Sequence, residues 1–141
     1  MTEWLVSCAL SCLLFTGQGA PPRPDFSGTW MPVANATARL VVTQTAAIMT
    51  MRADGEPTLE SRLDGSITKQ KEENTEVTAA WRNGALVLTL TITSEFGDTN
   101  LQTQVWTIDG TGQLVIETTQ DRRGQSRTVR AVYRRVTVTS R

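Results

Sequence analysis

Residues 85–93 constrain this chain more than any other stretch. Leu86, Leu88, Leu90 and Ile92 alternate with Val87, Thr89, Thr91 and Thr93 without a break. A period of two puts the four aliphatic side chains on one face of a strand, whereas a helix would scatter them around its circumference. Immediately before this run stands Asn83-Gly84, a pair suited to the positive backbone angles of a tight hairpin. Similar punctuation recurs at Asp54-Gly55, Asp64-Gly65, Gly97-Asp98, Asp109-Gly110-Thr111-Gly112 and Arg123-Gly124. Between these turns lie runs rich in Val, Ile, Leu and Thr, and the 23 threonines suit pleated, half-solvated strands.

Strands are therefore expected at 27–33, 39–44, 48–53, 75–81, 85–93, 101–108, 113–120 and 126–138, with two shorter, more polar ones at 58–63 and 66–71. Residues 34–38 leave room for one helical turn at most. Parallel strands need long crossovers, and none of these connections is long enough, so the sheet is antiparallel. Short turns between successive strands favour an up-and-down meander, which removes its exposed edges by closing on itself. The expected fold is all-β: an antiparallel up-and-down meander of eight to ten strands closed into a small barrel, one domain over residues 25–138.

The first twenty residues read differently. Residues 4–15 are apolar and uncharged, and Gly17-Gln18-Gly19-Ala20 follows. That pattern predicts a secretory signal at 1–20 with cleavage after Ala20, although the leading Met-Thr-Glu carries no Lys or Arg. The run is too short to cross a bilayer, so no transmembrane segment is expected. Leu5-Val6-Ser7-Cys8 has the look of a lipid-attachment box, but stands too near the start for an apolar core to precede it. Secreted or periplasmic localisation follows from the export reading. Both cysteines, Cys8 and Cys12, fall inside this segment, so the exported chain has no disulfide and no thiol nucleophile. Pro21-Pro22-Arg23-Pro24 forms a stiff leader at 21–24.

Charge and composition exclude several classes of function. Fourteen basic and fourteen acidic residues balance, which argues against a generally basic nucleic-acid binder. With no His, Ser–His or Cys–His catalysis and His metal ligation are absent, so no catalytic residues, cofactor or metal site are expected. Residues 122–141 hold seven Arg and no acid. Cross-strand pairing with acids such as Glu117 and Glu95 accounts for them, and an anion or anionic surface is the other reading. Glu72, Glu73 and Glu76 form the densest acidic group and read as a solvated loop.

Phe26-Ser27-Gly28-Thr29-Trp30 opens the first strand, and Ala131-Val132-Tyr133-Arg134-Arg135 lies in the last. These runs resemble the F-x-G-x-W opening and closing strand of calycin-type barrels, above all small secreted bacterial lipocalin-like proteins. The resemblance implies that Gly28 lets the chain pass close to its neighbours and that Trp30 closes one barrel end. It also implies a cation over that Trp from the last strand, with Arg134 preferred and Arg130 and Arg135 as competitors. The second motif of typical lipocalins is missing. Arg130 and Tyr133 are spaced to opposite faces, unlike the carboxylate-binding R-x-Y pair of fatty-acid-binding proteins.

Two functional readings follow. In the first, the barrel binds a small, largely apolar ligand inside, without catalysis, with Trp81, Trp106, Tyr133 and Arg130 as candidate contacts. Whichever face of the last strand turns inward decides between Arg130 and Tyr133. In the second, the same aromatics fill a solid core, and the barrel is a structural or protein-interaction module acting through its outer face or loops. A barrel of about eight strands can be filled by side chains or hold one small ligand.

Overall fold

The computed structural model describes residues 22–34, 38–70 and 74–137. Among these residues there are ten strands and no helix. In chain order the strands are β1 (Gly28–Pro32), β2 (Leu40–Gln44), β3 (Ile48–Ala53), β4 (Leu59–Arg62), β5 (Thr68–Lys69), β6 (Thr75–Arg82), β7 (Ala85–Thr93), β8 (Thr99–Ile108), β9 (Leu114–Arg122) and β10 (Gln125–Arg135). They make one antiparallel sheet in the order β4-β3-β2-β1-β10-β9-β8-β7-β6-β5. Every neighbour is also a neighbour in sequence except one pair. The first and last strands join, with Trp30 opposite Arg135 and Pro32 opposite Tyr133, and this rolls the meander into a nearly closed, barrel-shaped sheet.

The turns do what their residues predict. Asn83 and Gly84 have φ of 51° and 79°, and Arg123 and Gly124 have 50° and 77°. Two successive positive angles are the signature of a type I′ hairpin, whose twist matches that of the flanking strands. The two polar segments do become strands, although β5 is only two residues long. Between β4 and β5 the barrel seam is closed by side chains instead of a backbone ladder. The Gln70 amide donates to the Glu60 carbonyl at 2.7 Å and accepts from the Glu60 N–H at 3.1 Å. The Thr68 hydroxyl accepts from the Arg62 N–H at 3.2 Å. These polar side chains satisfy backbone groups that an open edge would leave bare.

Alternation along β7 sorts as expected, with Leu86, Leu88 and Leu90 buried and the intervening Val87 and Thr89 half-buried outside. Opposite Leu86 and Leu88 stand Trp81 and Ala79 of β6, and Trp106 and Gln104 of β8. On the outer face, Thr78, Thr89, Thr103, Thr119 and Thr128 lie opposite one another across five strands. Much of the threonine content thus becomes cross-strand pairing, and the Thr119 and Thr128 hydroxyls meet at 2.9 Å. Strand lengths are unequal. β7 to β10 run nine to eleven residues, but β1 to β4 only four to six. The β9–β10 hairpin therefore projects past the short strands, and residues 120–130 are all exposed.

Candidate functional site

One end of the barrel is plugged by aromatics. Phe26 stacks on Trp81 with ring centroids 5.9 Å apart and meets the Trp106 ring edge-on at 5.6 Å. The Trp30 indole N–H donates to the Phe26 carbonyl at 2.8 Å, and the Trp106 N–H to the Gln104 side-chain oxygen at 3.0 Å. Phe26 is placed by Gln44, whose amide accepts the Phe26 N–H at 2.9 Å and donates to the Pro24 carbonyl at 3.2 Å. The leader is thereby tied across the barrel end, and Arg23 sits over Trp81 at 5.7 Å.

The expected cation over Trp30 is there, but it comes from a different residue. Arg135 stands 4.6 Å from the ring centroid and donates to the Asp25 carbonyl at 3.2 Å. Arg134 lies opposite Met31, one step out of phase, so the assignment to Arg134 is corrected to Arg135. The step of one residue matters because it moves a side chain to the other face of the sheet. Gly28 is corrected in a different sense. A Cβ there would meet nothing within 4 Å, so close packing does not require glycine. Its φ of 135° does, because side chains rarely adopt that conformation. Beside it, the Asp25 carboxyl is held below its ordinary range, first by the backbone N–H of Ser27 and then by the Ser27 side chain, with Arg135 adding a smaller contribution.

This plug is solid. Trp30, Val77, Ala79, Leu86 and Leu88 are wholly inaccessible to water, and Trp106 is 1 % exposed. A side chain that no water-sized sphere can touch borders no water-sized void. Trp81 and Trp106 are thus brought together, but around Phe26. Tyr133 is on the interior face opposite Leu114, packed against the core, and burial raises the pKa of its phenol. Arg130 lies opposite Glu117 on the outer face, so it does not share an interior site with Tyr133. The inward side of β10 is the Tyr133 side.

A different place has the character of a binding site. Where β4 and β5 meet through side chains alone, a groove of about 500 Å³ opens between Pro57, Thr58, Leu59 and Glu60 on one bank and Thr68, Lys69, Gln70 and Thr75 on the other. Arg52 and Glu56 complete a rim carrying both charges. Thr75 belongs to the interior face of β6, opposite Ile92, and is 5 % exposed. Among the described residues its hydroxyl has no hydrogen-bond partner. A buried hydroxyl left unpaired costs about 1–3 kcal/mol, so such groups are rare without a reason. Leu59 packs against the core, giving the groove an apolar bank beside that hydroxyl.

Reasoning from sequence missed this groove because its walls come from two separate polar stretches, each read as a marginal strand. The one available signal was the polarity of 66–76 itself, which breaks the strand pattern where the barrel fails to close. The sequence-predicted export segment and the two cysteines lie outside the described residues, as do Glu72 and Glu73. Among the described residues no group of three or more His, Cys, Asp or Glu is placed to hold a metal ion, and no helix is long and apolar enough to cross a membrane.

The fold and groove together define an all-β, barrel-shaped protein with a plugged end and a side-chain seam. No protein-family model matches the chain, and no curated protein is significantly similar to it.

Proposed function

We propose that the protein is a non-catalytic carrier that takes a small, amphipathic ligand at the seam between β4 and β5. The observation that supports this reading is that Thr75, whose buried hydroxyl has no hydrogen-bond partner among the described residues, stands in the wall of the groove. A ligand with an apolar body would cover Leu59 and Pro57, and a rotation of the Thr75 side chain toward the groove would let one polar atom of the ligand pair with its hydroxyl and relieve its cost. The reading keeps the ligand-binding function that the lipocalin-like opening implies. It moves the site from the tryptophans to the seam, because the barrel interior around Trp30 and Trp106 is filled. Secretion or export to a periplasm belongs to the same proposal, since a carrier of apolar molecules works where they must cross water.

The filled core favours a second reading, a solid module that acts through its outer surface. One set of titrations separates the two. N-phenyl-1-naphthylamine, an uncharged fluorescent amphiphile, should bind at about one site per chain with a Kd of ~1 µM, or roughly −8 kcal/mol. Thr75→Val should weaken that binding about fivefold, yet raise the stability of the free protein by ~1 kcal/mol, because the unpaired hydroxyl is gone. Trp106→Ala should cost ~3–5 kcal/mol of stability whichever reading holds, since the ring is buried. Absence of saturable binding, or binding that Thr75→Val leaves unchanged, rejects the carrier and leaves the solid module.

A further inference from the structure

The tip of the β9–β10 hairpin presents a group of charges that neither reading uses. From Leu114–Tyr133 and Ile116–Ala131, which face the interior, the register continues outward through Thr118–Val129 and Gln120–Arg127 to Arg122–Gln125. The face continuous with the barrel interior therefore ends in two arginines and two glutamines, with Gln102 of β8 opposite Gln120. The two acids of β9 near the tip belong to the other face. Glu117 is opposite Arg130 on the outer face, and Asp121 is opposite Ser126, whose hydroxyl it accepts. A cleft of about 600 Å³ at the tip is lined by Gln120, Arg122, Arg123, Gln125 and Arg127, without a carboxylate.

No carboxylate among the residues lining the cleft offsets its charge. Arg122 and Arg127 are diagonal neighbours on one face, a relation that puts Cβ atoms within about 7–8 Å. Each guanidinium carries a full positive charge and donates only, so neighbouring arginines repel unless an anion lies between them. Arg123 is held beside them by the type I′ turn, where it adopts a positive φ of 50°. The cleft thus gathers three fixed positive charges and two amide side chains able to donate. Bidentate guanidinium forks match a tetrahedral oxyanion, and a phosphate monoester brings three terminal oxygens and nearly two negative charges.

We propose that the hairpin tip is a binding site for a phosphate group, carried by a soluble phosphorylated molecule or by a lipid headgroup. The site is separate from the seam groove, and neither depends on the other. The test is titration calorimetry with inorganic phosphate and pyrophosphate, run beside flotation with phosphatidylcholine vesicles with and without phosphatidic acid. Wild type is compared with the double variant Arg122→Gln/Arg127→Gln and with Arg130→Gln, whose arginine faces outward. The expected result is saturable binding that weakens with salt, falls at least about tenfold in the double variant and is unchanged in Arg130→Gln. Binding of the free anions identifies a soluble ligand, and binding of phosphatidic acid vesicles alone identifies a headgroup; either supports the site. Retained N-phenyl-1-naphthylamine binding and an unchanged melting curve show that the double variant is folded. Failure of both anions and vesicles to bind overturns the proposal. So does an equal loss in Arg130→Gln, which would mean diffuse charge attraction and no site.

Discussion

At the scale of single residues, hydrogen bonds to carboxylates organise the barrel ends. Asp25 accepts the Ser27 N–H at 2.9 Å beneath the Arg135 side chain, and Asp109 accepts from the Thr111 hydroxyl at 2.7 Å and the Gln113 N–H at 2.9 Å in the β8–β9 turn. Each is held below its ordinary pKa of 3.8, Asp25 chiefly by the Ser27 N–H and Asp109 chiefly by the Thr111 hydroxyl. A depressed carboxylate contributes stability that is present above its unfolded pKa and is lost as pH falls through the folded value. Melting temperature should therefore drop between about pH 5 and about pH 2, and drop less in Asp25→Asn/Asp109→Asn, which has lost two of the groups that take up protons. Parallel pH curves for the two proteins would show that these carboxylates carry no such linkage.

Among the elements, β7 is the clearest case of sequence dictating structure. Its bounds, 85–93, are those the alternation predicts, and its inner leucines occupy the core because period two admits no other sorting. Leu88→Asp should accordingly unfold the protein or cost more than about 4 kcal/mol, since it buries an unpaired carboxylate. Val87→Thr, on the half-exposed face, should cost less than about 1 kcal/mol. Equal losses in denaturant titrations of the two variants would refute the assignment of faces. β5 is the opposite case. Its polar residues gave a weak signal because Thr68 and Gln70 serve as side-chain partners for the backbone of β4, a role that leaves no periodicity. β10 lies between these cases. Its arginines fall on both faces, Arg127 and Arg135 on one and Arg130 and Arg134 on the other, and the face that turns inward depended on the register with β1 and β9.

For the whole molecule, the export reading of residues 1–20 makes one direct prediction. N-terminal sequencing of protein recovered outside the cytoplasm should begin at or near Pro21, and a soluble product there that retains Met1 would contradict it. The rest concerns what closes a barrel. Strand number, turn positions, antiparallel order and the all-β class were legible in the sequence, because alternation and Asn-Gly-type turns act over two to nine neighbouring residues. Cross-barrel relations were not, since they join positions more than a hundred residues apart and shift with a single step of register. That step put Arg135, not Arg134, over Trp30 and turned Tyr133 inward and Arg130 outward. Whether the tryptophans would line a cavity or fill one was likewise beyond local pattern. Tertiary packing decided it by bringing Phe26 between Trp81 and Trp106, while a groove opens at the seam where β4 and β5 lack a backbone ladder.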